Sequence, residues 1–271
     1  MRFFDTHNHL QDERLVPMMP EVLARAREAG VLAMACCAAD QSDWPLVLDL
    51  AARHNGILPF LGVHCGCLAS RTPDWRDRLE RTLLAHPEAG VGETGLDHVI
   101  QNRDDAEQET VFLEQLRLAQ KLQRPLSIHC RRAFGRLLEL LRQEGVPAGT
   151  VLHTYSGPPE LVPAFQELGC FFSFSAALTR AGSKRPGRAV AAVSSDRLLL
   201  ETDCPDLAPA GLQDRPNEPA HIRLVAEASA RFRHTTLEDI AEQTWINACR
   251  CFAGLLKFRP MTPEKHLACL S

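Results

Sequence analysis

The chain opens with Met1-Arg2-Phe3-Phe4-Asp5-Thr6-His7-Asn8-His9-Leu10, a short apolar run that passes directly into two histidines one residue apart. In an extended strand alternate side chains face the same way, so His7 and His9 can present both imidazoles to one metal ion from one edge. With 11 histidines in 271 residues, roughly 0.4 His-x-His pairs are expected by chance. The motif therefore draws its meaning from what the rest of the fold gathers beside it.

Short apolar runs alternate with longer amphipathic ones along the whole chain, the pattern of repeated βα units and a parallel sheet. The spacing predicts strands at Phe3–His7, Val31–Cys37, Ile57–Val63, Gly90–Glu93, Pro125–His129, Thr150–His153, Gly169–Ser173 and Leu198–Thr202. Between them, helices are predicted at Pro20–Ala29, Trp44–Arg53, Asp74–Ala85, Asp105–Gln123, Ala133–Glu144, Pro159–Leu168 and Gly187–Val193, with two more at Glu218–Phe232 and Thr236–Ala253. Apolar residues three and four apart, such as Phe112, Leu116 and Ala119, give each a core face. Gly30, Gly56, Gly145 and Gly169 stand where helices need left-handed ends, and Thr236 suits a helix N-cap. Eight βα units predict an α/β fold, a TIM-type (β/α)8 barrel with extra C-terminal helices, occupying residues 1–253 as a single domain. The tail, 254–271, carries no functional signal.

The formal charge of −4 excludes a broadly basic protein that coats nucleic acid, while leaving room for a local basic groove. No cationic leader with a cleavage site and no stretch near the ~20 apolar residues of a membrane helix is present, so a soluble, cytoplasmic protein is expected. The ten cysteines are scattered through a chain large enough to fold without staples, and are expected to be reduced. Cys65 and Cys67 lack a second pair at zinc-knuckle spacing and are expected to pack a loop.

A barrel of this type carries its chemistry on the carboxyl ends of its strands, where the βα loops meet. His7 and His9 fall there on the first strand, His64 on the third, Glu93 on the fourth, His129 on the fifth, His153 on the sixth and Asp203 on the eighth. A lone strand-end histidine is ordinarily a hydrogen-bonded loop residue. Shared placement on one rim makes a common metal site the better explanation.

The blocks DTHNHL (5–10), GVH (62–64), VGETGLD (91–97), PLSIHCRRA (125–133), VLHTYSG (151–157) and LLLETDCP (198–205) resemble the TatD-related metal-dependent deoxyribonucleases of the amidohydrolase superfamily. The resemblance runs in order from about Phe3 to Phe252. It implies a distorted TIM barrel with two divalent ions, one held by His7, His9, Glu93 and Asp203 and the other by Glu93, His129 and His153, with Glu93 bridging. Lys121, Lys184, Lys257 and Lys265 fall in helix, loop or tail, so none can replace Glu93 as a carboxylated bridge. The resemblance also implies 3′-to-5′ deoxyribonuclease activity. Two ions roughly 3.5–4 Å apart can share a water and lower its pKa from 15.7 toward about 7. Asp203, ligating one ion, is placed to take that water's proton. Mixed histidine and carboxylate ligands favour zinc or manganese, with magnesium also accommodated.

Substrate contacts are expected from His64, Arg131 and Arg132, one of the two arginines pointing inward by strand parity, and from the basic stretch 180–188 with Lys184 and Arg185. Tyr155 and Phe174 are candidate surfaces for base stacking. His98, Tyr155 and Ala176 depart from the pattern of the resembling family, and no ligand is lost by them. Single-stranded nucleic-acid ends are thus the leading substrate. The alternative is an amidohydrolase or esterase acting on a small molecule or an aminoacyl ester, which a small apolar pocket would favour. A non-catalytic binding module is a third reading, which the complete ligand set disfavours. The sequence does not fix the oligomeric state.

Overall fold

The computed structural model describes residues 1–255, so the predicted tail beyond Leu255 lies outside the described residues. Each expected apolar run is a parallel strand: β1 (Phe3–Asn8), β2 (Val31–Cys37), β3 (Ile57–Leu61), β4 (Gly90–Asp97), β5 (Leu126–Arg131), β6 (Thr150–Leu152), β7 (Phe171–Phe174) and β8 (Leu198–Leu200), hydrogen-bonded to one another in chain order. One helix follows each strand: α1 (Met19–Glu28), α2 (Asp43–Arg53), α3 (Trp75–Ala85), α4 (Asp105–Leu122), α5 (Phe134–Glu144), α6 (Val162–Glu167), α7 (Lys184–Ala192) and α8 (Ile222–Arg233), with α9 (Leu237–Cys251) added at the end. This is the (β/α)8 barrel that the spacing predicted. None of the described helices is long and apolar enough to cross a membrane.

Local chemistry places the ends. Thr236 accepts a hydrogen bond from the N–H of Asp239 at the start of α9, and Asp104 accepts one from Glu107 at the start of α4. The helix α7 begins three residues earlier than its sequence suggests, because Pro186 occupies its third position, where no intrahelical N–H is needed. Likewise β4 runs on to Asp97, four residues past the predicted end at Glu93, through Gly95. Gly95 has φ +150°, and a Cβ there would stand 1.9 Å from the carbonyl oxygen of His129, so the residue is glycine because β4 and β5 pass in close contact.

The helix α9 closes one end of the barrel. Trp245, Ala248 and Phe252 pack with Phe4, Phe60 and Leu199 in a single apolar cluster, and the Phe252 ring lies 5.4 Å from both Phe4 and Phe60. With that mouth filled by side chains, the polar residues at the carboxyl ends of the strands face the opposite one. Two strands lose register at the positions that supply those residues. The pairing of β1 with β2 shifts between Asp5 and Asn8, and that of β4 with β5 shifts between Val91 and Thr94. Such irregularities re-aim side chains beside active sites.

The β1–β8 seam has no regular ladder among the described residues and is closed by other means. The N–H of Asp203 donates to the carbonyl of His7 at 3.0 Å, the N–H of His9 donates to Cys204 at 2.7 Å, and the Thr6 hydroxyl donates to Leu200 at 3.0 Å. The buried carboxylate of Asp5 accepts from the Thr202 N–H at 2.8 Å and hydroxyl at 2.6 Å, and from Asn8 at 3.1 Å. Burial pushes Asp5 up to about 7 even against those bonds. Asp5→Ala strands three buried donors, and is expected to lower stability by about 2–4 kcal/mol. Urea unfolding at neutral pH measures it; an unchanged midpoint would mean the seam holds without Asp5.

Candidate metal centre

The end of the barrel opposite α9 gathers every expected ligand into one cluster. His7 lies within β1, His9 just past it, Glu93 within β4, His129 within β5, His153 immediately after β6, and Asp203 three residues beyond β8. On one side, His7 Nε2 and His9 Nε2 stand 3.4 Å apart, each within 3.4–3.5 Å of Glu93 Oε2 and 3.6–3.8 Å of Asp203 Oδ1. Donor atoms around a tetrahedral ion with bonds of about 2.1 Å stand about 3.4 Å apart, so His7, His9 and Glu93 stand at ligand spacing, with Asp203 Oδ1 slightly farther from the two imidazoles. On the other side, Glu93 Oε1 lies 2.9 Å from His129 Nδ1 and 2.8 Å from His153 Nε2, and those two nitrogens are 3.1 Å apart. This trio is tighter, drawn together by hydrogen bonding to the carboxylate. Glu93 turns one oxygen to each group.

What the far nitrogen of each imidazole meets decides what the near one can do. His9 Nδ1 donates to the Cys37 carbonyl at 2.7 Å, and His7 Nδ1 donates to the Ser127 hydroxyl at 2.9 Å. His129 Nε2 donates to Asp97 Oδ2 at 3.3 Å, and His153 Nδ1 faces Glu201 Oε1 at 3.6 Å. A cation that displaced the inner protons, which His129 Nδ1 and His153 Nε2 now donate to Glu93 Oε1, would meet an inward lone pair on each ring while the outer nitrogen kept its proton. The buried His153 Nδ1 and Glu201 Oε2 lack hydrogen-bond partners. A cation at Nε2 would polarise the ring and strengthen its attraction to that carboxylate.

His64 has the reverse arrangement. The backbone N–H of Gly66 donates to His64 Nδ1 at 3.0 Å, so Nδ1 is the acceptor and the proton sits on Nε2. That N–H points into the cluster, 3.5 Å from Glu93 Oε1. Burial, joined by the charges of His129, His153 and His9, lowers His64 to about 4 and keeps the ring neutral. His64 is therefore built as a donor, where a cation would find its four neighbours acceptors.

Burial alone would favour protonated carboxyls here, but the surrounding imidazoles reverse it. His153 and His129 hold Glu93 well below the carboxylate range, joined by the inward N–H of neutral His64, and His9, His153 and His7 lower Asp203. Against the same burial, Asp203 and Glu93 raise His9 to about 9, and Glu93 with Glu201 raises His153 well above its ordinary value. Burial and the charge of His153 lower His7. The centre is a concentration of ionised carboxylate, which favours a cation. Three residues just past strand ends hold left-handed backbones, Arg132 at φ +54°, Thr154 at +40° and Asp203 at +55°. Non-glycine residues in that region collect at functional sites.

The arginines line the adjoining cavity. Arg131, 3.5 Å from Asp97, and Arg132 both face a space of about 690 Å³ shared with Arg185, Phe134 and Pro158. Strand parity predicted only one of them there; the left-handed backbone at Arg132 turns the second into the same cavity. Lys184 is exposed at the first position of α7, outside that wall. The stacking role expected of Tyr155 is corrected by its burial. It is 2% exposed, ringed by Phe134, Phe165, Phe172 and Phe174, with its hydroxyl donating to Pro158 at 2.8 Å. Phe174 is buried with it. Asp97 and Glu201, which orient His129 and His153, escaped the sequence reading although each shares strand parity with a ligand, Glu93 and Asp203 respectively.

A family described as TatD related DNase matches residues 4–253. The uncharacterized metal-dependent hydrolase YabD of Bacillus subtilis is 30% identical over 92% of this chain and 98% of its own length. The 3′-5′ ssDNA/RNA exonuclease TatD of Edwardsiella piscicida is 31% identical over 86% of this chain and 93% of its own. Among solved structures, the TatD homologue YJJV of Escherichia coli K12 superposes with a TM-score of 0.89 at 29% identity, over 93% of this chain and 98% of that one.

Proposed function

Since the chain belongs to the TatD-related DNase family and is a metal-dependent hydrolase, we propose that it hydrolyses phosphodiester bonds of single-stranded nucleic acid, shortening strands from the 3′ end, with two divalent ions. Residues 1–253 act as one catalytic unit in this reading. The observation that carries it is the cavity of about 690 Å³ walled by Arg131, Arg132 and Arg185, which shares Arg131 and Ser156 with a second cavity lined by His129, His153 and Asp203. Three guanidinium groups beside a cation centre suit a chain of phosphates better than a neutral amide or ester.

His7, His9, Glu93 and Asp203 would hold one ion, and Glu93, His129 and His153 the other, with zinc or manganese favoured by the nitrogen-rich set and magnesium tolerated. Ions bound there would lower the pKa of a water toward about 7 and polarise a phosphoryl oxygen. Asp203 takes the proton of the attacking water as the new phosphorus–oxygen bond forms and the old one breaks, and the leaving oxygen receives a proton in turn. Arg131, Arg132 and Arg185 fix the strand, and His64 Nε2 donates to a phosphoryl oxygen. His64→Ala is therefore expected to lower kcat about 100-fold without changing metal content, and His64→Gln, which keeps an N–H donor, to recover part of it. Elemental analysis of the same samples separates the roles; loss of one metal equivalent would make His64 a ligand instead.

The general test incubates the purified full chain with end-labelled single-stranded DNA, RNA and a panel of small esters and amides, with Mn²⁺, Zn²⁺ or Mg²⁺ and with chelator. Stepwise shortening of strands that chelator stops is the expected result. Turnover of small esters or amides alone would overturn the reading.

A further inference from the structure

The cleft is electrostatically one-sided. One arm is the cavity of Arg131, Arg132 and Arg185, with no carboxylate in its wall. The other arm, over the cluster itself, is a space of about 310 Å³ that Asp12, Asp43 and Asp206 line beside the metal-binding residues. A space of that size is at the small end of ligand sites, with room for one nucleoside. Asp43 is committed to the N–H of Ala39 at 2.8 Å and to Gln11 at 3.2 Å, and Arg14 alone pairs with both Asp12 and Asp206, each at 2.8 Å. Two of the three carboxylates thus share one guanidinium, itself 44% exposed to solvent, and Asp43 has only neutral partners. Asp206 also lines a neighbouring cavity with Arg14, Arg180, Arg215 and Asp214. A phosphate chain is attracted along the first arm as far as the metal-binding residues, and Asp12, Asp43 and Asp206 oppose a further phosphate beyond them.

We infer that a strand enters from the arginine arm only and ends in the acidic arm, so that the terminal nucleotide must carry a free hydroxyl and a strand ending in a 3′-phosphate is a poor substrate. This rests on the nuclease reading and adds to it a requirement on the chemistry of the end. A hydroxyl can donate to the carboxylates there. A terminal phosphate brings a charge of about −1.5 to −2 toward three like charges.

The test compares two otherwise identical single-stranded DNA oligonucleotides, labelled at the 5′ end and finished with either a 3′-hydroxyl or a 3′-phosphate, cut by the full-length protein with Mn²⁺. Removal of the first nucleotide is expected to be at least about tenfold slower from the phosphate end. Asp12→Asn and Asp206→Asn should each narrow that ratio, since each removes a repelling charge and frees Arg14. Asp206→Asn alters an exposed side chain, and so keeps the test open should another variant fail to fold. Equal rates from both ends would overturn the inference while leaving the nuclease reading intact, and cutting of a circular single strand would overturn both the inference and the shortening from an end, leaving only phosphodiester hydrolysis. No degradation of either oligonucleotide would overturn both.

Discussion

Asp203→Asn is expected to retain most of the bound metal and the fold while lowering turnover about 1,000-fold or more. Its backbone sits at φ +55°, a conformation that asparagine tolerates as well as aspartate does. The N–H that closes the barrel seam onto His7 is a main-chain group and survives the exchange. An amide oxygen can still face His7 and His9 at the 3.6–3.8 Å now spanned by Oδ1. The property that disappears is basicity: an amide does not take a proton from water, and loss of a positioned base costs about 100- to 10,000-fold. The check is kcat together with metal content and a thermal midpoint on the same preparation. Turnover near that of the unaltered protein would assign the proton acceptor elsewhere, with Glu201 and Asp97 as the next carboxylates to examine.

The barrel was legible because its signals are local and repeated. A run such as Val31–Cys37 followed by an amphipathic stretch is readable within one window, and eight repetitions leave few other topologies. The ligands were legible for a related reason, since strand ends are fixed by the same pattern and a barrel brings all eight to one rim. The orienting carboxylates were harder. Asp97 falls four residues past the predicted end of its strand at Glu93, and only the contact of Gly95 with His129 reveals that the strand continues. Tyr155 failed as a surface residue because its neighbours Phe134, Phe165, Phe172 and Phe174 come from three different elements, α5, α6 and β7. No window of sequence contains that cluster. The distinction between His64 and the other imidazoles was equally hidden, because it depends on a single backbone N–H two residues away.

Glu93→Gln is expected to have the largest effect of any single change at the centre. Its two oxygens serve opposite groups, Oε2 facing His7 and His9 at 3.5 and 3.4 Å, and Oε1 facing His129 and His153 at 2.9 and 2.8 Å. An amide keeps one oxygen and turns an NH₂ toward the other group. The amide N–H bonds can then satisfy an imidazole lone pair, but they cannot ligate a cation and they oppose its approach. At least one of the two proposed ions should be lost, and turnover should fall about 10,000-fold or more, beyond the effect at Asp203 because the water and the phosphate lose their binding partners together. Stability separates this from simple damage. An ion that binds the native state at 100 times its Kd adds about 2.7 kcal/mol, so the unaltered protein should melt higher with added Mn²⁺ or Zn²⁺. In Glu93→Gln that metal-dependent rise should shrink sharply, while the metal-free midpoint moves little, because the neutral amide fills the same volume and still hydrogen-bonds to His129 or His153. A variant that kept both equivalents of metal and the full rise in melting temperature would show that the two groups do not share Glu93, and the centre would then have to work as two separate sites.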